Sequence, residues 1–434
     1  MPCTNNEWQP GDYLDSLILH GVKLGLRNIS ALMDACEDPH LSYPTVHVAG
    51  TNGKGSTLAF LAAILEAAGY RAGRFTSPHL LHVTERFLTG NCPMTVPDLH
   101  ENVAFFRDLA AGLGFTPTYF EMNTAMAFRW FARKAVDIAL VEVGMGGRFD
   151  STNIVKPEVC AITNIDMDHT QYLGNTRAAI AFEKAGILKP GVPAVVGETG
   201  KEALPVIREH AALRKAPLYC LSGEYAFEAS GTIWHPVMAY RGLGVEWANL
   251  VLGLAGAHQV HNAALAVTMA LLLRNKFPHI TEPAIREGLV SARWPGRLER
   301  VLDSPPVFMD AAHNPAGCRV LAHALRQCVL VFSVSADKDA AAMIDILSPI
   351  ASPLILTTFQ GGRSMPIDLL RQQAGRHKAL CFARMEEALD TAMGLASEDK
   401  PLLIAGSIYG AGEARQMLIE RYGASALSFD AVSP

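Results

Sequence analysis

Residues 47–57 read HVAGTNGKGST and join a β-branched run, Thr45-Val46-His47-Val48, to an apolar helical pattern from Leu58 to Leu65. Between them lies a loop carrying Gly50, Gly53 and Gly55. A strand feeding a glycine loop at a helix N-terminus builds an anion cradle, because backbone N–H groups and the helix dipole converge on phosphate oxygens. Gly50, Thr51, Asn52, Gly53, Lys54, Gly55 and Ser56 are therefore the expected phosphate-binding loop. Lys54 supplies a point charge for the outer phosphates, and Ser56 a hydroxyl fit for Mg²⁺. The loop departs from the ordinary phosphate-loop pattern, since Gly55 separates Lys54 from Ser56 and no glycine opens it at the usual distance. A glycine turn with an incidental lysine is the plainer alternative.

The chain has 434 residues, half of them apolar and 18% charged, which suits a compact protein of two or three domains. A net charge of −5 gives no global pull toward nucleic acid. Eight cysteines are scattered without a CxxC pair, which argues for reduced thiols. The first residues, MPCTNNEWQPGDYLD, do not read as a signal peptide, and no uncharged apolar run reaches membrane-spanning length. The expectation is a cytoplasmic protein with no membrane partner.

From Thr45 to about Pro217, short apolar runs (45–49, 71–76, 136–143, 158–163, 193–197, 217–221) alternate with helical patterns (55–68, 97–112, 119–134, 176–189, 201–214). That alternation predicts a mainly parallel sheet with helices on both faces. Residues 224–252 read as a small antiparallel excursion, followed by a long helix over 258–273 and a shorter one near 282–291. At Arg293-Trp294-Pro295-Gly296-Arg297 the periodicity stops, and a second alternation begins with strands at 306–310, 328–334, 353–357, 378–382 and 401–405. The expected organisation is α/β throughout: a phosphate-loop ATPase domain over 1–293 and a smaller Rossmann-like domain over 294–434, with a hinge at the Pro-Gly step.

Five further clusters lie at places where chemistry would be expected, several of them at the carboxyl ends of strands, where open parallel sheets bind ligands. Glu142 closes one strand and is a candidate Mg²⁺ ligand or an ordinary capping carboxylate. His169 follows another; as an imidazole it is an unusual Mg²⁺ ligand, and a hydrogen-bonded structural role suits it equally. Glu183-Lys184, in IAFEKAGIL, reads on spacing alone as a helix surface pair. In TSPHLLHVTERF the residue before Pro78 is extended, so the loop could hold Ser77 and His79 over a cleft. Thr118, Tyr119, Phe120 and Glu121 offer an aromatic pair and a carboxylate that suit a flat heteroaromatic ring, or plain core packing. In the second half, Arg297 could pair with phosphates, Asp310 with ribose or Mg²⁺-bound water, and Asn262 with an adenine edge. His313 and Asn314 sit in a turn stopped by Pro315, and GSIYGAGEAR follows a strand with Ser407.

LGLRNI, GTNGKGS, TSPH, DHT followed by Leu173-Gly174, EKAGI, WPGR, DAAHNP and GSIYGAGEAR, in this order over residues 24 to 415, resemble the Mur-ligase superfamily and, within it, the folylpolyglutamate synthases. The resemblance implies an ATP-dependent amide ligase. The γ-phosphoryl group would pass to a pteroate or folate carboxylate, and the amine of L-glutamate would displace phosphate from the acyl phosphate. It implies that Ser77 and His169 reach Mg²⁺ with Ser56 and Glu142, and that Lys184 reacts with CO₂ to give a carbamate that helps hold a second ion. Leu24, Gly25 and Leu26, in LGLRNI, match the family's substrate-side segment, and His79, Thr118–Glu121, Phe149, Asp150 and Ser151 fall on its pterin side. Asn262, Arg297 and Asp310 would hold the nucleotide, and His313 and Ser407 the glutamate. Lys54, Lys184, Asp310 and His313 are the residues expected to carry the chemistry, in a monomer. GGRFD at 146–150 resembles the form found in bifunctional enzymes that also make dihydrofolate from dihydropteroate. Gly410 and His82-Val83 depart from the commoner pattern. The rivals are a monofunctional folylpolyglutamate synthase, a cell-wall Mur ligase, for which only residues 1–44 precede the first core strand, and a phosphate-loop kinase or switch.

Overall fold

The computed structural model describes residues 10–21, 23 and 25–422. Two compact units form, each described by itself below: one of residues 1–77, 83–225 and 265–285, the other of 78–82, 226–264 and 286–434.

The first unit begins with α1 (Pro10–Ser16), α2 (Arg27–Asp34), β1 (Thr45–Ala49), α3 (Lys54–Ala67) and β2 (Ala72–Phe75). β3 (Phe87–Thr89), β4 (Cys92–Pro93), α4 (Val96–Gly112), α5 (Tyr119–Arg133) and β5 (Ile138–Glu142) follow. It continues with β6 (Val159–Ile162), α6 (Thr170–Leu173), α7 (Arg177–Ala185), β7 (Ala194–Val196), α8 (Leu204–Arg214) and β8 (Leu218–Cys220). The eight strands run β4-β3-β2-β5-β1-β6-β7-β8, and all pairs are parallel except β2–β3 and β3–β4. β1 is buried along its whole length, as a central strand covered on both faces must be. Side chains alternate between faces. Ala139 and Val141 enter the core under α4 and α5, whereas Cys160 and Ile162 enter the one under α7 and α8.

The predicted excursion is a three-stranded sheet, ordered β11-β10-β9, of β9 (Tyr225–Gly231), β10 (Pro236–Gly242) and β11 (Val245–Val251), with β10 and β11 antiparallel. α9 (His258–Leu273) and α10 (Glu282–Ser291) follow it.

The second sheet is built from β12 (Glu299–Asp303), β13 (Pro306–Met309), α11 (Pro315–Ala324), β14 (Cys328–Phe332), α12 (Ala340–Leu347) and β15 (Ala351–Leu356). α13 (Ile367–Ala374), β16 (Ala379–Cys381), α14 (Met385–Leu395), β17 (Leu402–Ala405) and α15 (Ile408–Tyr422) complete it. Its order is β12-β13-β17-β14-β15-β16, parallel except at β12–β13. Again the strand period divides the core: Leu330 and Phe332 join the cluster of α11–α13, and Val329 and Val331 that of α14 and α15. The sequence expectation contained no strand at 299–303; β12 is an edge strand bearing Glu299, Arg300 and Asp303, too polar to show an apolar run.

Glu299 and Arg415 form an ion pair at 2.6 Å, with side chains 7% and 4% exposed, tying β12 to α15. Removing one partner leaves a buried charge, so Glu299→Ala is expected to lower stability by about 3–5 kcal/mol in chemical denaturation. Glu299→Gln, which keeps the shape, is expected to cost less.

Candidate active site

The chain leaves β1 toward β2 on one side, whereas β6 leads to β7 and β8 on the other, so the loops after β1 and β6 diverge at a switch point. There the glycine loop meets the segment after β6. Thr51 N–H donates to the Asn164 carbonyl at 3.0 Å, and Asn52 N–H to Asn164 Oδ1 at 2.8 Å. Thr163 Oγ1 donates to the Asn52 carbonyl at 2.6 Å, and Asp166 N–H to Thr51 Oγ1 at 3.0 Å. Gly50 (φ +150°) lies so close that a Cβ there would sit 1.8 Å from Thr163 Oγ1. Gly53 (φ +84°) caps α3 in the left-handed region, and Gly55 and Ser56 are buried in the helix's first turn. Only glycine takes both backbone positions without strain.

Two lysines converge on one carbonyl. Lys54 Nζ donates to Gly50 O at 3.0 Å and Thr51 O at 3.2 Å, and Lys184 Nζ donates to the same Gly50 O at 2.9 Å. Lys184 does not lie on a surface: its helix turns it inward, 5% exposed. Burial, then the Lys54 charge, bring its pKa from 10.5 to about 7, against the pull of Asp168 and Asp150. Glu142, at the end of β5, faces Lys54 at 3.8 Å and accepts a hydrogen bond from Ser77 N–H at 3.2 Å. The structure thus brings together Gly50–Ser56, Ser77, Glu142 and Lys184. His169 opens α6 in a left-handed conformation, 3.8 Å from Asp168. Among the described residues no group of three or more His, Cys, Asp or Glu side chains could by itself hold a metal.

Asp150 is buried, which raises its pKa. It accepts hydrogen bonds from Met145 N–H at 2.9 Å, Thr152 N–H at 3.0 Å and the Thr152 hydroxyl. Because that hydroxyl spends its proton on Asp150, the 2.8 Å bond to His47 Nε2 requires His47 to donate. His47 is held neutral by burial and Lys189, its pKa about 3. Ser151 is buried within this turn, and Phe149 is exposed, with Arg148 lying over both its ring and that of Phe182.

Thr118 and Glu121 form a reciprocal capping box on α5. Glu121 accepts from Thr118 N–H at 2.7 Å and from Asn28 at 3.5 Å. Tyr119 lies under Arg86, and Phe120 packs against Phe75 and over Gly144. Gly25 (φ +138°) and Leu26 precede α2, while Leu24 lies outside the described residues.

His79 belongs by chain contacts to the second unit. There Asp310, at the end of β13, accepts from Leu298 N–H and Ala312 N–H, both at 2.7 Å. Burial raises its pKa, and Arg297 opposes the rise. Asn314 caps α11, and His313 Nδ1 lies 3.0 Å from Ala311 O. Ser407 is buried ahead of α15, its Oγ accepting from Tyr409 N–H at 3.2 Å. Asn262 is buried on α9 and donates to Gln259.

Thr163, Asn164 and Asp166, in the same segment as His169, buttress the glycine loop and are not among the residues expected from the sequence. The signal available was the polar ITNID run directly after an apolar strand.

Residues 48–270 match the Mur ligase middle domain, and residues 296–408 the Mur ligase glutamate ligase domain. The dihydrofolate synthase/folylpolyglutamate synthase of Bacillus subtilis is 37% identical over 415 residues, 92% of this chain and 96% of that protein. That of Escherichia coli is 33% identical, covering 94% of each. Among solved structures, Mycobacterium tuberculosis folylpolyglutamate synthase complexed with ADP superposes with a TM-score of 0.87 at 33% identity, over 94% of this chain and 99% of that one. E. coli FolC in complex with DHPP and ADP gives 0.85 at 31%, over 96% and 99%.

Proposed function

The chain belongs to the Mur ligases, in the dihydrofolate synthase/folylpolyglutamate synthase family, and from that premise we propose that it joins L-glutamate to the carboxylate of a pteroate or folate at the expense of ATP. The observation that carries this reading is the glycine loop braced on β6, with Lys54, Lys184 and Glu142 gathered at its mouth. The loop amides and Lys54 hold the β- and γ-phosphates and neutralise charge as the phosphoryl group moves to the acid. The amine of glutamate then attacks the acyl phosphate carbonyl, a C–N bond forms, and phosphate leaves.

The donors at the loop suit Mg²⁺, which takes few carboxylates and otherwise phosphate oxygens and water. Ser56, Ser77, Glu142 and His169 would hold it, and it would supply charge neutralisation on the phosphates. Lys184, buried and with its pKa brought down to about 7, keeps a substantial share of neutral amine near neutrality. Its lone pair can bond to CO₂ carbon while a C=O pair moves to oxygen and the nitrogen loses a proton. The resulting carbamate faces Lys54 with the opposite charge. Asn262, Arg297 and Asp310 hold the nucleotide, and His313 and Ser407 the incoming glutamate. His79, Tyr119, Phe120 and the 149–151 turn serve the pterin side. We take the division at 293/294 as the functional one, and the protein as a cytoplasmic monomer. No helix among the described residues is long and apolar enough to cross a membrane.

The test is ADP release with dihydropteroate and with tetrahydrofolate, each with and without glutamate, plus hydroxylamine trapping. A hydroxamate that requires both ATP and the pterin acid is expected. Turnover with tetrahydrofolate alone would leave a monofunctional synthase, and ATP hydrolysis indifferent to acid and glutamate would refute the ligase.

A further inference from the structure

Glu198 lies just past β7, whose end is held to β6 by the bond from Gly197 N–H to the Ile162 carbonyl at 3.0 Å. The chain then turns through Gly200 into α8, and Leu204 N–H donates to the Gly200 carbonyl at 3.0 Å. The Glu198 side chain is half-buried, and backbone donors take both carboxylate oxygens. Gly200 N–H donates to Oε1, and Ile165 N–H to Oε2 at 2.6 Å.

The Ile165 amide matters because of what lies across its peptide bond. Ile165 N–H and the Asn164 carbonyl belong to one planar unit and point in opposite directions. Thr51 N–H donates to that carbonyl at 3.0 Å, so a single peptide is gripped by Glu198 on one edge and by the glycine loop on the other. A hydrogen bond to an ionised acceptor is about twice as strong as a neutral one, and it polarises the peptide so that the carbonyl beyond accepts better. The flanking groups repeat the grip. Asn164 Oδ1 takes Asn52 N–H, and the Thr51 hydroxyl bridges Asp166 N–H at 3.0 Å and the Asp166 carbonyl at 3.1 Å. The Ile165 side chain is buried in the core under α7 and α8, which holds the peptide's other end.

We propose that Glu198 is a positioning residue for phosphate binding: anchored on the turn into α8, it fixes the 164–165 peptide and through it the Thr51 and Asn52 amides of the glycine loop. This role rests on the ligase reading for what the loop holds, the β- and γ-phosphates of ATP. Glu198 acts through the peptide and not on the substrate.

Two variants disturb the same bond by different routes. Glu198→Ala deletes the acceptor. In Gly200→Ala the new Cβ would stand 2.6 Å from Glu198 Oε1, at a backbone position outside the left-handed region. The atom it meets is the far end of a flexible side chain, so the carboxylate is pushed aside at little cost in stability. The full chain is titrated calorimetrically with ADP, and with dihydropteroate at saturating ADP. Each variant is expected to weaken ADP about tenfold, the loss of one hydrogen bond to a charged group, and to leave dihydropteroate within about twofold. The double variant should bind ADP no worse than Glu198→Ala, because Gly200→Ala works only through a carboxylate already removed. ADP affinity within about twofold of wild type in both single variants, or an equal loss for ADP and dihydropteroate, overturns the proposal, and so does additivity in the double variant. Should Glu198→Ala melt too low to titrate, the two affinities of Gly200→Ala decide alone. The ligase reading fails separately, on wild-type ADP release that ignores glutamate and pterin acid.

Discussion

Lys184→Ala is expected to lower kcat by about two to three orders of magnitude, the loss typical of removing one charged group aimed at a developing charge. A lysine acting as a cation and a lysine acting as a carbamate predict different rescues. If the working species is the carbamate, small carboxylates such as propionate restore part of the activity of Lys184→Ala, and alkylamines do not. Wild-type activity then falls in CO₂-free buffer and returns with bicarbonate. Near-wild-type turnover by Lys184→Ala, or rescue by alkylamine alone, would remove the carbamate from the mechanism.

The same residue gives a stability signature. Its folded pKa is about 7 against an ordinary 10.5, so between these values the unfolded chain binds more protons than the folded one. Stability therefore rises with pH through that window. Below about pH 7 both states are protonated and the folded chain carries the buried charge in full. Lys184→Met keeps the volume and removes the charge. In CO₂-free buffer its stability gain over wild type should be largest at or below pH 7 and shrink toward pH 10.5, read as urea midpoints across pH.

Physical patterning made the large elements legible. β1, α3, β5, β6 and α9 lie within a residue or two of the expected limits, because each combines a strong period with glycine or polar punctuation. Short edges did not show: β3 and β4 have three and two residues, and β12 is polar. The glycine loop could be read because its chemistry is contiguous. Lys184 could not be read on spacing alone, since the pattern RAAIAFEKA does not say whether its single lysine faces inward or toward solvent. The family resemblance singled it out, and the bond to Gly50, 134 residues away, is a property of the fold. The Glu299–Arg415 pair was hidden in the same way by 116 residues of separation.

The second large effect is expected at Gly50. Gly50→Ala would put a Cβ 1.8 Å from Thr163 Oγ1 and 3.0 Å from Thr163 Cβ, at a φ of +150° that side chains other than glycine rarely adopt. Backbone strain of this kind costs about 1–3 kcal/mol. With the clash, about 3–5 kcal/mol of stability is expected to be lost, in the upper range of single substitutions. Activity should fall further than stability, because the Gly50 carbonyl is the point on which Lys54 and Lys184 both rest. Thr163→Ala separates the two effects. In the double variant the hydroxyl clash is gone, so part of the stability returns. The bond from Thr163 to the Asn52 carbonyl is gone too, and the 3.0 Å approach of the two Cβ atoms remains. The double variant should therefore melt closer to wild type than Gly50→Ala yet stay poor in ATP binding. Full recovery of ATP affinity in it would mean that the loop can hold phosphates without its brace on β6.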